Sequence, residues 1–193
     1  MHVATHLLMG WTLAEHTTKT PRDRALVAWA SVVPDLDGLG LLVDAAAPFT
    51  GGTMQWYDRY HHMLLHGLPG AVLFTAILAC FASDRLRTAL LVLASYHLHL
   101  LGDLLGSRGG AENALWPIHY LAPFSDAITL SWQGQWPLTS WQNTALTMAL
   151  MAYAIALAIA RGRSPVGLFS RRADEIFVQT LRHRFAKGPA ASK

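Results

Sequence analysis

The chain has 193 residues, enough for one domain with a real core. Hydrophobic residues make up 52% and charged residues 14%, against about 25% charged in soluble domains, which points to a protein that meets lipid. A single cysteine, Cys80, excludes an intramolecular disulfide and a cysteine-based zinc site, and a net charge of +3 gives no basis for a nucleic-acid partner.

The elements predicted along the chain are almost all helical, with no convincing strand alternation. Residues 4–16 read as a first helix. The ten residues before it and within it lack a basic n-region, so no cleavable signal is expected there. Pro21 sits at a favourable first-turn position for a helix over 22–33, which Pro34 ends. A short apolar helix follows over 38–47, closed by Pro48 and a Thr50-Gly51-Gly52 turn. Residues 57–66 are helical in pattern, and 68–81 are apolar. Ser83-Asp84 reads as a break and cap before a long apolar helix over 86–105. Residues 107–141 are irregular and rich in Gly, Pro and Trp, and long irregular stretches are often functional. Residues 143–160 are the best transmembrane candidate, flanked by Trp141 and Arg161. Residues 170–186 form a basic amphipathic helix suited to a membrane surface on the cytoplasmic side. The chain divides into a helical metal-site and membrane domain, 1–162, and a basic C-terminal helix and tail, 163–193.

Four polar clusters interrupt these apolar helices. Thr5-His6 lies on the first helix, with His2 and His16 nearby. A lone histidine on an apolar helix is more often a hydrogen-bonded core residue than a ligand, so His6 gains weight only from the other clusters. Pro34-Asp35-Leu36-Asp37 places two acids after a helix stop. Asp37 has a capping role open to it before the 38–47 helix, whereas Asp35 has no helix start to serve. In the run Tyr60-His61-His62-Met63-Leu64-Leu65-His66, His62 and His66 would share a helix face at i and i+4, the spacing with which two imidazoles grip one metal. In Tyr96-His97-Leu98-His99-Leu100-Leu101-Gly102-Asp103, His99 and Asp103 share a face, and His97 diverges from His99 by about 200°. Titratable groups buried in apolar helices need compensation, and a bound cation supplies it. Imidazole and carboxylate donors without thiolate suit zinc, with manganese or iron as alternatives. The reading is an all-α, membrane-associated bundle around a buried metal site.

These pieces, with Leu115-Trp116-Pro117 downstream, resemble the bacterial inner-membrane, metal-dependent hydrolase family, itself regarded as distantly related to zinc-dependent phospholipase C and P1 nuclease. They occur in the family's order over about the first 120 residues. The resemblance implies an inner-membrane location, an all-α fold around two or more zinc ions and hydrolysis of a phosphoester, either small or lipid-linked; with the ligands this chain offers, the expected count is one to three ions. It makes His6, Asp35, His66, His99 and Asp103 ligands, with Asp103 the bridging carboxylate. The family's His-Arg block, with a second His five residues after the first, matches His61 and His66. His62 stands in the arginine position, so His61 and His62 remain alternative ligands. No later helix supplies clean extra ligands beyond His119, Glu112 and Asp126, which favours a mono- or dinuclear centre. Asp35 or Asp37 would orient the attacking water or act as general base. Arg59 and Arg108 are candidates to pair with a phosphate, although solvated surface is the commoner fate of such residues. The competing readings are a membrane metal or proton transporter and a metal-stabilised scaffold.

Overall fold

A computed structural model of the chain describes residues 1–50, 55–61, 63–109 and 114–185, without the side chains of 50, 58 and 59. Five helices make the bundle: α1 (Val3–Thr17), α2 (Pro21–Ala30), α5 (Leu68–Cys80), α6 (Arg85–Gly106) and α7 (Trp141–Arg161). Two short helices, α3 (Gly40–Ala46) and α4 (Trp56–Tyr60), lie between α2 and α5, and α8 (Arg171–Phe185) follows α7. The helices begin where the chain offers caps. Thr20 accepts a hydrogen bond from Asp23 N ahead of Pro21, and Asp84 accepts one from Arg87 N.

Apolar residues of α1, α2, α6 and α7 meet in one core around Trp11, Val27, Ala28, Val92 and Leu157. A second core joins Val33, Ala71, Tyr96, Leu100 and Ile118 beneath the polar site. Residues α6 and α7 contribute are long apolar runs of 22 and 21 residues, enough at about 1.5 Å per residue to cross a hydrocarbon layer of about 30 Å. Only 22% of the most apolar window of α7 is buried. A helix that exposes so much apolar surface is solvated by lipid rather than water. A third apolar stretch, α2 with Val33–Phe49, is bent by 53°. Thus α6 is at least as long as α7, the best transmembrane candidate from sequence.

The sequence expectations are corrected in three places. The helix expected over 57–66 stops at Tyr60, and residues 61 and 63–67 are irregular, because His61 and His66 turn inward to Asp37. The second helix stops at Ala30, and a 3-10 segment, Val33–Leu39, carries Pro34 and both acids. Within the stretch expected to be irregular over 107–141, β1 (Ile118–His119) pairs antiparallel with β2 (Thr129–Leu130), a ladder too short to show as alternation.

The irregular region is fixed by two buried amides. Gln135 Nε2 donates to Asp103 O at 2.8 Å and Trp116 O at 3.2 Å, and its Oε1 accepts from Trp116 N at 2.8 Å. Asn143 Nδ2 donates to Gly106 O at 2.8 Å and Leu138 O at 2.9 Å, and Asn143 Oδ1 accepts from Trp136 Nε1 at 2.9 Å. The orphan carbonyls of Asp103 and Gly106 at the end of α6 are thereby satisfied, and Leu105 O accepts from Trp136 N, so the loop is held over the site.

Candidate metal centre

The bend after α2 creates the site. Ser31, the residue that closes α2, keeps a carbonyl free of the helix, and His99 Nδ1 donates to it at 2.8 Å. A carbonyl accepts only, so the Nδ1 of His99 carries the proton and its Nε2 presents a lone pair to the interior. Ser31 Oγ donates to His6 O at 2.8 Å, and this close approach of α1 and α2 depends on Gly10, where a Cβ would collide with the Ser31 side chain. Asp37, two residues past Asp35, accepts from His61 Nδ1 at 2.8 Å, His66 Nδ1 at 3.0 Å and Leu65 N at 3.3 Å. The Nε2 of His66 is therefore also turned inward.

Four donor atoms converge there from three segments: Asp35, His66, and His99 with Asp103 from α6. His66 Nε2 and His99 Nε2 are 3.2 Å apart. Asp103 Oδ2 is 2.8 Å from His99 Nε2 and 3.5 Å from His66 Nε2. Asp35 Oδ1 is 3.7 Å and 3.9 Å from the same two nitrogens. Zinc bonds of 2.0–2.1 Å arranged tetrahedrally put ligand atoms about 3.3 Å apart, and the observed separations bracket that value. Two imidazole lone pairs pointed at each other also demand something between them, a proton or a cation. His66, His99 and Asp103 are buried, and Asp35 keeps partial access. The donor set fits a divalent cation with a preference for imidazole and carboxylate.

His6 stands directly behind this set. Its ring stacks on His99 at 3.7 Å, and its Nε2 lies 3.1 Å from Asp103 Oδ1. Its buried Nδ1 has no hydrogen-bond partner among the described residues. The Met1 amino group and Ser107 Oγ also bond to Asp103 Oδ1, so the two carboxylate oxygens serve different neighbours. His61 belongs to a second group with Asp37 and His66, joined by hydrogen bonds. His66 is lowered by burial, but its bonds to Asp103 and Asp37 outweigh this and hold it up at about 9.

Of the residues singled out from sequence, the structure brings His6, Asp35, Asp37, His61, His66, His99 and Asp103 into one cluster. His62 and Glu112 lie outside the described residues, as does the Arg59 side chain. His97 turns away, bonding Leu93 O and the Tyr120 hydroxyl. His16 meets Tyr153 and Arg161 at the other end of α1, and His119 pairs with exposed Asp126. Arg108 bonds Gln133 O. Sequence reasoning passed over Ser31, Ser107 and Gln135, which orient ligands through a carbonyl, a hydroxyl and an amide. Only Ser31, a lone polar residue in an apolar run, carried any signal.

A cavity of ≈ 390 Å³ opens onto the cluster, lined by Asp35, His61, Asp103, Trp116 and Leu39 among others. Asp37 does not line it. The arrangement can hold a cation at the floor of an open pocket with two acids, Asp35 and Asp103, on its wall.

No curated protein and no solved structure matches the chain. The model of the YdjM inner membrane protein family matches residues 1–170. Two membrane-length helices and this match agree, and the chain belongs to the YdjM inner membrane protein family.

Proposed function

We propose that this membrane protein is a metal-dependent hydrolase that cleaves a phosphoester, with Asp35, His66, His99 and Asp103 holding the ion. The observation that carries this reading is the pair of inward Nε2 atoms, each with its Nδ1 proton committed elsewhere, facing two carboxylates beneath an open cavity. Such second partners fix ligand tautomers in metal sites. Zinc is the first candidate for the ion, ahead of manganese and iron. A divalent cation there supplies Lewis-acid polarisation and acidifies water to a pKa near 7 (roughly).

The protein's own groups have separable roles. Asp35 lines the cavity and has a buried Oδ2 with no hydrogen-bond partner among the described residues, so it is placed to orient water or accept its proton. Asp37 spends both oxygens on His61 and His66 and acts as a positioning residue. His6 buttresses His99 and Asp103. Trp116 and the Gln135 staple close the side of the pocket against water.

The phosphoester is the bond chosen for testing because the inner-membrane hydrolase family that the sequence resembles is regarded as distantly related to zinc-dependent phospholipase C and P1 nuclease. The site's place among lipid-facing helices supports a lipid-linked substrate. The test is turnover of phosphomonoester and phosphodiester substrates by detergent-purified protein, wild type beside Asp103→Asn. The expected result is turnover by the wild type that the substitution abolishes together with metal content. Turnover that survives in Asp103→Asn would refute the mechanism. Metal-loaded protein inert on every phosphoester would instead support a metal-stabilised scaffold.

A further inference from the structure

The bundle is electrically lopsided along its axis. Contacts fix which helix ends lie together. At one end, Glu15 near the close of α1 bonds Arg24 of α2, Arg161 at the close of α7 and Arg163 just beyond it. Arg87 near the start of α6 donates to Thr17 O, and Ser83 N, between α5 and α6, donates to Asp23. At the other end lie His6, Ser31, His66, Asp103 and Asn143, joined as described. Hence α1, α5 and α7 run from the metal cluster to the arginine end, and α2 and α6 run back.

The lysines and arginines sort with this direction. Lys19, Arg22 and Arg24 lie at the α1–α2 turn, Arg85 and Arg87 at the start of α6, and Arg161 and Arg163 at the end of α7. The four arginines of α8 follow on the same side, because α8 packs on the end of α7 through Ala158, Val178 and Leu181. Of the 13 basic residues from Lys19 to Arg184, only Arg59 and Arg108 belong to segments on the metal-cluster side. Basic residues flanking membrane spans stay on the cytoplasmic face. The bias here is shared by three separate helix ends that flank two spans and a bent third.

We infer that the His/Asp pocket opens on the extracytoplasmic side of the membrane and takes its substrate from there, with α8 on the cytoplasmic side. Asp103 is three residues from the end of α6, so the ion site lies about 5 Å inside that end and near its interface. Leu39 at the pocket wall, with Leu41 and Leu42 beyond it, is exposed and apolar, which places the pocket mouth beside lipid. The cytoplasm reaches the pocket only through the length of the bundle, past Trp11, Val27 and Val92 of the dry core. The side of opening is independent of the hydrolytic reading. The conclusion that a phosphoester arrives from that side rests on it.

The test is cysteine labelling in spheroplasts, in a Cys80→Ser background that removes the native thiol. A membrane-impermeant maleimide is applied to Leu39→Cys and His2→Cys at the pocket and to Arg22→Cys and Lys19→Cys at the arginine end. All four positions are exposed. Labelling of the pocket cysteines in intact spheroplasts, with the arginine-end cysteines labelled only after permeabilisation, is the expected result. The reverse pattern overturns the inference, as does labelling of both sets before permeabilisation or of neither. Two positions at each end guard against one variant that fails to fold. Because no turnover is measured, the labelling pattern stands or falls apart from the hydrolase reading.

Discussion

Asp37→Asn is the substitution that most sharply separates support of a metal site from ligation. Asp37 accepts three hydrogen bonds, from His61 Nδ1 at 2.8 Å, His66 Nδ1 at 3.0 Å and Leu65 N at 3.3 Å. An asparagine of the same size offers one oxygen and one NH2 group. One of the two imidazoles then faces a donor with its own N–H. If that imidazole is His66, the ring relieves the conflict by moving its proton to Nε2, which removes the lone pair the metal needs. Loss of such a partner lowers metal affinity about 10- to 100-fold, or about 1.4–2.7 kcal/mol. The assay is competition with a graded chelator on detergent-purified protein, read as bound zinc. Asp44→Asn is the control, because Asp44 accepts from Trp56 N and Tyr57 N, away from the four ligand atoms. The expected outcome is weakened binding in Asp37→Asn and unchanged binding in Asp44→Asn. Undiminished affinity in Asp37→Asn would show that the inward tautomer of His66 does not matter and that the proposed ligand set is wrong.

Protonation of His66 gives a pH prediction. In chelator-treated protein its imidazolium is held up at about 9, above its ordinary 6.5. A raised histidine stabilises the fold fully below 6.5 and loses that contribution as pH rises through about 9, so the melting temperature of the chelated protein falls across this window. Metal must displace the same proton, so zinc affinity rises over the same window, measurable by titration at several pH values. Gly70→Ala puts a Cβ 2.6 Å from the Tyr96 hydroxyl and 2.8 Å from Leu65 O, breaking the bond between them that holds the loop before α5. A loss of about 1–3 kcal/mol in stability is expected from this overpacking, read by thermal unfolding in detergent. Glu15→Gln leaves Arg24, Arg161 and Arg163 without their shared carboxylate, whose side chain is fully buried. Breaking such a pair costs about 3–5 kcal/mol, toward the lower figure here because Arg161 and Arg163 are partly exposed, and thermal unfolding measures it.

Local chemistry explains what the sequence made legible. His99 and Asp103 were readable because a four-residue spacing within one regular helix is a geometric statement. The 86–105 and 143–160 helices were readable from continuous apolar runs, and the structure extends each by one to two residues at either end. The His61 to His66 block was misread as a helix because the inward pull of Asp37 comes from a segment more than twenty residues earlier. No local pattern encodes that pull. For the same reason Asp37 looked like a helix cap, whereas its oxygens serve two imidazoles. Ser31 and Gln135 were invisible as contributors because they act through backbone and amide contacts whose partners lie 68 and 32 residues away. The charge asymmetry was half visible: the basic C-terminal segment was plain, but only the helix directions show that Arg22 and Arg85 join it.

Metal content is the most direct test of the central claim. Detergent-purified wild type and His99→Ala are measured side by side by plasma mass spectrometry, with helical content checked by circular dichroism. The account predicts about one equivalent of zinc, manganese or iron in the wild type, the occupancy of a single four-ligand site, and its loss in a variant that stays helical. Wild-type protein that carries no metal and takes up none when it is added would contradict it.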